Sequence, residues 1–185
     1  RGDQANEMGN QLQTVDLGTG KTAKQLVAGF GHTCAVLNDD TVKCWGYGLY
    51  GQLGYGDTTN RGDQTNEMGN NLPTVDLGTG KTAKNLVAGA RHTCAVLNDD
   101  TVKCWGHGGS GRLGYGDTNS RGWRPNEMGD NLPIVYTSCH VPLPNTCVEW
   151  NCTGATNTGT FRRSTNCTIS DTLTANGGGV IVENT

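Results

Sequence analysis

The stretch HTCAVLNDDTVKCWG occupies residues 32–46 and recurs unchanged at residues 92–106. Its β-prone halves, TCAVL and TVKCW, flank the turn-forming residues NDD, so the stretch predicts a β-hairpin. A two-residue turn would place Cys34 and Cys44 on opposite faces of the hairpin. A three-residue turn at residues 38–40 places them directly opposite each other, at about the separation that a disulfide requires. We favour the three-residue turn with a disulfide in each hairpin; two small buried thiols per repeat are the alternative.

The hairpin belongs to a longer repeat. Residues 1–60 and 61–120 align without gaps and differ at twelve positions, and a third copy starts at Arg121 before the pattern ends at Tyr136. We therefore divide the chain into a first repeat (1–60), a second repeat (61–120), the start of a third (121–136) and a different tail (137–185). Because the chain opens on Arg1 in phase with the repeat, we expect a processed or partly observed chain.

The composition narrows the class of protein. Glycine supplies 29 of the 185 residues, which is typical of a turn-rich fold. A net charge of −3 gives no electrostatic reason to expect a nucleic-acid or membrane partner. No apolar run approaches the roughly 20 residues that span a bilayer, so we predict no membrane span.

Each complete repeat contains four short β-prone segments. In the second repeat they are LPTVDL (72–77), NLVAG (85–89), TCAVL (93–97) and TVKCW (101–105). No apolar period of 3.6 residues is sustained, so we expect helices to be short or absent. Four strands within a 60-residue repeat are typical of a β-propeller blade or a related repeat array, which predicts an all-β fold.

The cysteines and glycosylation motifs indicate an oxidising compartment. We predict that all eight cysteines form disulfides: Cys34, Cys44, Cys94, Cys104, Cys139, Cys147, Cys152 and Cys167. The four in the tail allow three connectivities, and the sequence does not choose among them. The only N-x-[ST] tripeptides begin at Asn151 and Asn166, both in the tail. Together these features predict a secreted or cell-surface glycoprotein.

The segment around the hairpin resembles the repeat of the regulator of chromosome condensation family. The residues that carry the resemblance are Gly29, His32, Thr33, Cys34, Ala35, Leu37, Val42, Cys44, Trp45, Gly46, Gly51, Gln52, Leu53, Gly54 and Gly56. The second copy matches at the same offsets, with Arg112 in place of the glutamine. The resemblance implies blades of four antiparallel strands, usually seven in a ring. The version with paired cysteines, VDLGTG and NEMG resembles the extracellular branch of that family.

This chain departs from the family pattern in two ways. Asp40 and Asp100 stand in the hairpin turn where the family usually has glycine, and aspartate tolerates a positive φ less well than glycine. Two repeats and the start of a third cannot close a seven-bladed ring. We therefore predict propeller-type blades in an incomplete arc, followed by a small disulfide-stapled β tail. Bare blade edges favour association with other copies or with further repeats of the same protein.

The tail bears a second resemblance. CVEWNC (147–152), GTFRR (159–163) and NGGG (176–179) are similar to a degenerate thrombospondin type 1 module. That resemblance implies that Trp150 packs against Arg162 or Arg163, a cation–π contact of ~1 kcal/mol at an exposed site. The alternative is a cysteine-stapled β tail of no named family.

No residue pattern in the chain indicates catalysis or cofactor binding. His32 and His92 enter the hairpins without a triad-like neighbour, so we interpret them as structural. The run at residues 38–40 lacks the spaced oxygen ligands of a calcium loop, so we expect no metal site. The tripeptide RGD occurs at residues 1–3 and 61–63, but a motif of three residues is weak evidence for cell adhesion. We predict that the protein is not an enzyme.

The sequence leaves two classes of function. The first is a structural repeat component of an extracellular glycosylated assembly, such as a fibre, a filament or a ciliary hair. The second is an extracellular module that binds or adheres to proteins or glycans. Guanine-nucleotide exchange, which the best-known family member performs, is disfavoured by the paired cysteines and the glycosylation motifs.

Overall fold

The computed structural model describes residues 3–135, 150–152 and 159–161. The chain divides into two compact units, Arg1–Val135 and Tyr136–Thr185. Within the described part of the second unit, β7 (Trp150–Cys152) pairs antiparallel with β8 (Gly159–Phe161). Side-chain burial is described for residues 3–135.

Each repeat forms a three-stranded antiparallel sheet with the strands in sequence order. The strands are β1 (Ala23–Ala28), β2 (His32–Leu37) and β3 (Val42–Gly46) in the first repeat, then β4 (Ala83–Ala88), β5 (His92–Leu97) and β6 (Val102–Gly106) in the second. Helical geometry in the described residues is limited to four single 3₁₀ turns, at Gly9–Gln11, Gly69–Asn71, Gly109–Gly111 and Gly129–Asn131. The predicted all-β fold of unclosed, propeller-like sheets is confirmed.

The hairpin adopts the three-residue turn. Leu37 donates its N–H to the Thr41 carbonyl at 2.8 Å, which leaves residues 38–40 as the loop. Asp40 has φ 63° and its copy Asp100 has φ 65°, so this position does require the left-handed conformation. An aspartate can hold it, and each of the two carboxylates also pairs with a lysine, Lys24 and Lys84 respectively.

The predicted strand over residues 72–77 is wrong. The segment carries a single ladder-like hydrogen bond, from the Val75 N–H to the Val42 carbonyl at 2.8 Å, and Val135 repeats it with Val102 at 2.6 Å. Pro73 has no N–H to donate, which limits regular pairing here. The segment therefore lies along the outer edge of the preceding repeat's sheet. The first residues of a repeat thus pack against the sheet of the repeat before it, through Val75 in the second repeat and Val135 in the third.

The hydrophobic core lies between the two sheets. Its buried members come from both repeats and include Cys34, Val36, Val42, Cys44, Leu53, Val75, Leu77, Leu86, Leu97 and Trp105. Trp105 is the largest fully buried side chain in the described part of the molecule. Because neither sheet encloses a core of its own, the two repeats stabilise each other.

Candidate functional site

The hairpin cysteines lie in the core. Cys34 pairs directly with Cys44 in the β2–β3 ladder, and the two Sγ atoms are 2.10 Å apart. Cys94 and Cys104 repeat the arrangement at 2.08 Å. Both pairs are thus at bonding distance, in the register that the three-residue turn predicts.

Tyr55, which the sequence analysis did not single out, binds the backbone of Cys44 at the outer edge of β3. The Tyr55 hydroxyl accepts the Cys44 N–H at 3.0 Å and lies 2.9 Å from the Cys44 carbonyl and 3.1 Å from the Pro73 carbonyl. Tyr115 makes the same contacts with Cys104. Burial raises the pKa of Tyr55 to about 12, so the hydroxyl keeps its proton. The only sequence signal was that both tyrosines recur in the same LGYG motif.

Polar contacts connect the two repeats across the core. The Thr93 hydroxyl donates to the Gln52 carbonyl at 2.9 Å and lies 2.9 Å from Nε2 of His32, which then acts as the donor. The indole N–H of Trp105 donates to the same carbonyl at 3.0 Å. Burial first, and then the proximity of His92, lower the pKa of His32 to about 4. His32 is therefore a neutral structural residue at the interface between repeats.

Two buried lysines join loops from successive repeats. The Lys43 ammonium donates to the Leu17 carbonyl at 2.9 Å and to the Gly69 carbonyl at 2.7 Å. Lys103 donates in the same way to Leu77 and Gly129. Burial lowers the pKa of both lysines. Each lysine thereby fixes the VDLGTG loop of one repeat against the NEMG loop of the next.

The first sheet exposes a face whose copy is buried. Leu86 is 1% exposed because β4 packs against β1 and β2, and Gln25 binds its backbone N–H and carbonyl. Leu26, the same residue of the first repeat, is 60% exposed. Val15 and Leu12 are also exposed, whereas their copies Val75 and Leu72 are buried. We call this apolar area, formed by Leu12, Val15 and Leu26, the open face.

The second sheet is uncovered on the side opposite to the one that packs against the first sheet. Cys34 and Val36 are buried by the second repeat, whereas their copies Cys94 and Val96 are only partly buried. Val87 is 59% exposed. This uncovered side corresponds to the side of the first sheet that packs against β4.

A second exposed area lies on the loops before β2 and after β3. The rings of Tyr47 and Tyr50 are 6.2 Å apart, and Tyr50 lies edge-on to His107 at 5.1 Å. The Arg91 guanidinium stands 4.7 Å from the centre of the Tyr50 ring. We call this area the loop surface; its members are Phe30, Tyr47, Leu49, Tyr50, Arg91 and His107.

The remaining candidate residues have structural partners. Asp39 pairs with Lys21, and this contact lowers the pKa of Asp39 to about 2. Arg61 of the second RGD pairs with Asp57 at 2.7 Å, so its guanidinium is already engaged. Among the described residues no three His, Cys, Asp or Glu side chains are placed to hold a metal ion. Nor does this part of the chain contain a helix long and apolar enough to cross a membrane.

The predictions for the tail lie outside the residues whose side chains are described. They concern the cysteines Cys139, Cys147, Cys152 and Cys167, the glycosylation sites Asn151 and Asn166, and the contact of Trp150 with Arg162 or Arg163. They stay predictions.

Comparison with known proteins identifies the repeat. Residues 23–52 and 83–112 each match the family model described as Regulator of chromosome condensation (RCC1) repeat. The two matches cover β1–β3 and β4–β6 with the loop that follows each sheet. The chain therefore contains two RCC1 repeats. Assignment to the extracellular branch and to a thrombospondin-like tail stays a prediction.

Curated relatives resemble the chain over part of their length. The Ultraviolet-B receptor UVR8 of Arabidopsis thaliana is 36% identical over 98 residues, which are 53% of this chain and 20% of the relative. E3 ubiquitin-protein ligase MYCBP2 of Danio rerio is 33% identical over 92 residues, 50% of this chain and 2% of the relative. Probable E3 ubiquitin-protein ligase HERC4 of Homo sapiens is 28% identical over 117 residues, which are 62% of this chain and 10% of the relative. The chain thus spans a fifth or less of each relative.

Among solved structures, Prp20p from Saccharomyces cerevisiae is 16% identical, with a TM-score of 0.48 over 65% of this chain and 27% of that chain. Its structure is described together with its binding to Gsp1p and histones. Human WBSCR16 is 19% identical, with a TM-score of 0.43 over 74% of this chain and 29% of that chain.

Proposed function

We propose that the chain is a non-catalytic repeat module of an extracellular assembly and associates with other copies through its open face. The observation that carries the proposal is the contrast between Leu26 and Leu86. The first sheet covers Leu86 completely, whereas the described residues leave the same side chain of the first repeat, Leu26, 60% exposed. Burying a leucine side chain stabilises a contact by about 1.5–3 kcal/mol, so covering the open face is favourable.

The chain itself provides a surface that fits the open face. Inside the molecule, β4 packs against β1 and β2 of the preceding sheet. The strands of the second sheet that correspond to β1 and β2 are β4 and β5, and their outer side is uncovered. A second copy can therefore place its open face on β4 and β5 through the contacts already used between the repeats. Such head-to-tail contacts form filaments unless the rotation between copies closes a ring.

The main support for the proposed extracellular location comes from the two hairpin cysteine pairs. Two hairpin pairs at bonding distance in the core are compatible with an oxidising environment, because thiols in reducing compartments are kept free. The glycosylation motifs at Asn151 and Asn166 point the same way. Guanine-nucleotide exchange and other nuclear or cytosolic activities do not fit oxidised hairpins.

Light scattering coupled to size-exclusion chromatography tests the assembly. We expect the wild-type chain to increase in average mass with concentration, whereas Leu26→Asp stays monomeric because a carboxylate in the contact would be buried without a partner. Leu49→Asp is the matched control, since Leu49 is also exposed but lies outside the open face. A wild-type chain that remains monomeric at every concentration would overturn the proposed assembly.

Mass spectrometry of protein from its natural source tests the compartment. We expect Cys34, Cys44, Cys94 and Cys104 to resist alkylation until they are reduced, and Asn151 to carry a glycan. Free thiols in the hairpins together with an unmodified Asn151 would rule out the extracellular part of the proposal.

The loop surface favours a second candidate function, an extracellular binding module for proteins or glycans. Phe30 is 91% exposed, and Tyr47 and Leu49 are also exposed. Contiguous exposed aromatic residues are typical of interaction sites. The two functions use different surfaces and are compatible in one molecule.

A further inference from the structure

The opening residues of the repeat occur three times in the chain, and two of the three copies occupy equivalent sites. The copies are residues 1–15, 61–75 and 121–135, and all three contain the sequence NEMG. Residues 61–75 lie along the outer edge of the first sheet, and residues 121–135 lie along the outer edge of the second. We call the strip that holds residues 121–135 the edge site. The second repeat forms it with Val102, Lys103, Gly106, Asp76, Thr79 and Tyr115.

Backbone hydrogen bonds hold the docked segment at its start and at its end. At the start, Arg121 and Gly106 exchange both backbone hydrogen bonds, at 2.7 and 3.0 Å. At the end, the Val135 N–H donates to the Val102 carbonyl at 2.6 Å. The same bonds recur where residues 61–75 meet the first sheet. The edge site thus takes up an extended segment by adding it to the edge of a sheet, which is a common mode of peptide recognition.

The middle of the docked segment is held mainly through its backbone. The Lys103 ammonium donates to the Gly129 carbonyl at 2.7 Å, a bond that any residue at that position could accept. The Thr79 N–H donates to the Asp130 carboxylate at 2.8 Å. The first copy has Asn10 at the position of Asp130, and an amide oxygen accepts the same bond. The edge site therefore recognises groups that the first copy of the segment also possesses.

Apolar side chains anchor the docked segment, and the first copy leaves the same side chains exposed. Met128 and Leu132 are buried against the core. Their equivalents in the first copy, Met8 and Leu12, are exposed to solvent, and so is Val15. Within residues 3–135 the first copy thus carries the anchors of a docked segment without a sheet that buries them.

The two docked segments differ in how the chain continues beyond them. Residues 61–75 lead into β4, where the Ala83 N–H donates to the Asp40 carbonyl at 3.0 Å, so the first sheet holds the chain on both sides of the turn. Residues 121–135 end the first compact unit at Val135. All six strands of this unit lie before residue 121. Residues 121–135 can therefore leave the edge site while both sheets stay intact.

We propose that the edge site of the second sheet binds residues 3–15 of a second copy, which displace residues 121–135. The inference rests on the proposed self-association and adds a second contact to it, because residues 3–15 and Leu26 belong to the same repeat. Exchange of equivalent segments between copies is a common route to oligomers. Residues 121–135 compete from within the chain at a high effective concentration, so they raise the protein concentration at which copies associate.

Sedimentation velocity of the full chain tests the competition through a double-mutant cycle. Leu132→Ala loosens the internal segment by leaving a cavity at its anchor, and we expect it to lower the concentration of half-association about tenfold. Leu12→Asp removes an anchor of the incoming segment, so Leu132→Ala should have no effect in that background. Aggregation of a misfolded Leu132→Ala chain would persist in the double variant. A gain in association that survives Leu12→Asp would therefore overturn the proposal.

Fluorescence anisotropy with a labelled peptide of residues 3–17 tests the edge site without the contact between sheets. We expect the peptide to bind the Leu132→Ala chain at least tenfold more tightly than the wild type, because its competitor is loosened. The same peptide with Leu12→Asp is the matched control and should bind neither protein. Equal binding of the unaltered peptide to both proteins, or binding to neither, would contradict the inference.

The two measurements separate this inference from the assembly on which it rests. Peptide binding without any association between full chains would contradict the assembly and support the edge site. Association that Leu26→Asp abolishes and Leu132→Ala leaves unchanged would support the assembly and overturn the edge site.

Discussion

Single buried polar residues determine how the repeats fit together. Lys43 occupies a strand whose alternating pattern would ordinarily leave a lysine exposed, yet loops from two repeats cover it and accept its hydrogen bonds. Its carbonyl partners lie 26 residues away on either side, so no local pattern marks them. The cysteine pairs could be predicted because strand register is local, whereas Lys43 and Tyr55 could not, since their partners are backbone groups brought in by the fold.

His32 makes the stability of the protein depend on pH. Its pKa is about 4 in the folded chain, against 6.5 for an ordinary histidine. Between these values an unfolded chain binds a proton that the folded chain does not, so stability falls as pH is lowered from 6.5 to 4. We expect His32 to contribute up to ~1.4 kcal/mol per pH unit to that fall. Asp39 acts in a separate window, because its pKa is about 2 and its contribution is lost below about pH 4.

Urea denaturation of wild type and His32→Gln across this pH range measures the contribution. His32→Gln should be less stable than wild type at pH 7.5, because the contact with Thr93 changes, but its stability should decline less steeply towards pH 4. His92 and His107 also have lowered pKa values and are present in both proteins. Parallel curves for the two proteins would contradict the assignment of His32 as a neutral interface residue.

At the scale of secondary-structure elements, the hairpin could be predicted from the sequence, whereas the pairing of residues 72–77 could not. TCAVL and TVKCW alternate around a turn, and the structure forms both strands within one residue of the predicted limits. The segment LPTVDL has the same β-prone character but lies along the sheet of the neighbouring repeat with one backbone hydrogen bond from Val75. Propensity indicates that a segment can be extended; it does not indicate which partner strand is available.

The cysteine pair closes a short loop in each hairpin. Linking residues 34 and 44 restricts a segment with a sequence separation of 10, which stabilises the folded state by about 2.5–3 kcal/mol in the chain-entropy description. We expect a reducing agent to lower the melting temperature of the wild type by several degrees. The quadruple variant with serine at positions 34, 44, 94 and 104 is the control, and its melting temperature should not respond to the reducing agent. A wild type that melts at the same temperature in both conditions would indicate free thiols.

At the scale of the whole molecule, the two repeats form one core and, within residues 3–135, leave one side of each sheet uncovered. The repeat count made an unclosed arc predictable, because two repeats cannot complete a ring. The sequence could not indicate which apolar residues stay exposed, since Leu26 and Leu86 occur in identical LVAG segments. Leu86 is covered because the first sheet packs against it, whereas the described residues leave Leu26 60% exposed.

The central claim is that copies of the chain reuse the contact between the repeats, and photo-cross-linking from position 26 tests it most directly. A benzophenone amino acid in place of Leu26 should react with β4 or β5 of another copy, giving cross-linked peptides from residues 83–97. The same amino acid at position 49 should give none in that region. Intermolecular cross-links from position 26 to other parts of the chain, or no cross-links between copies at all, would contradict the account.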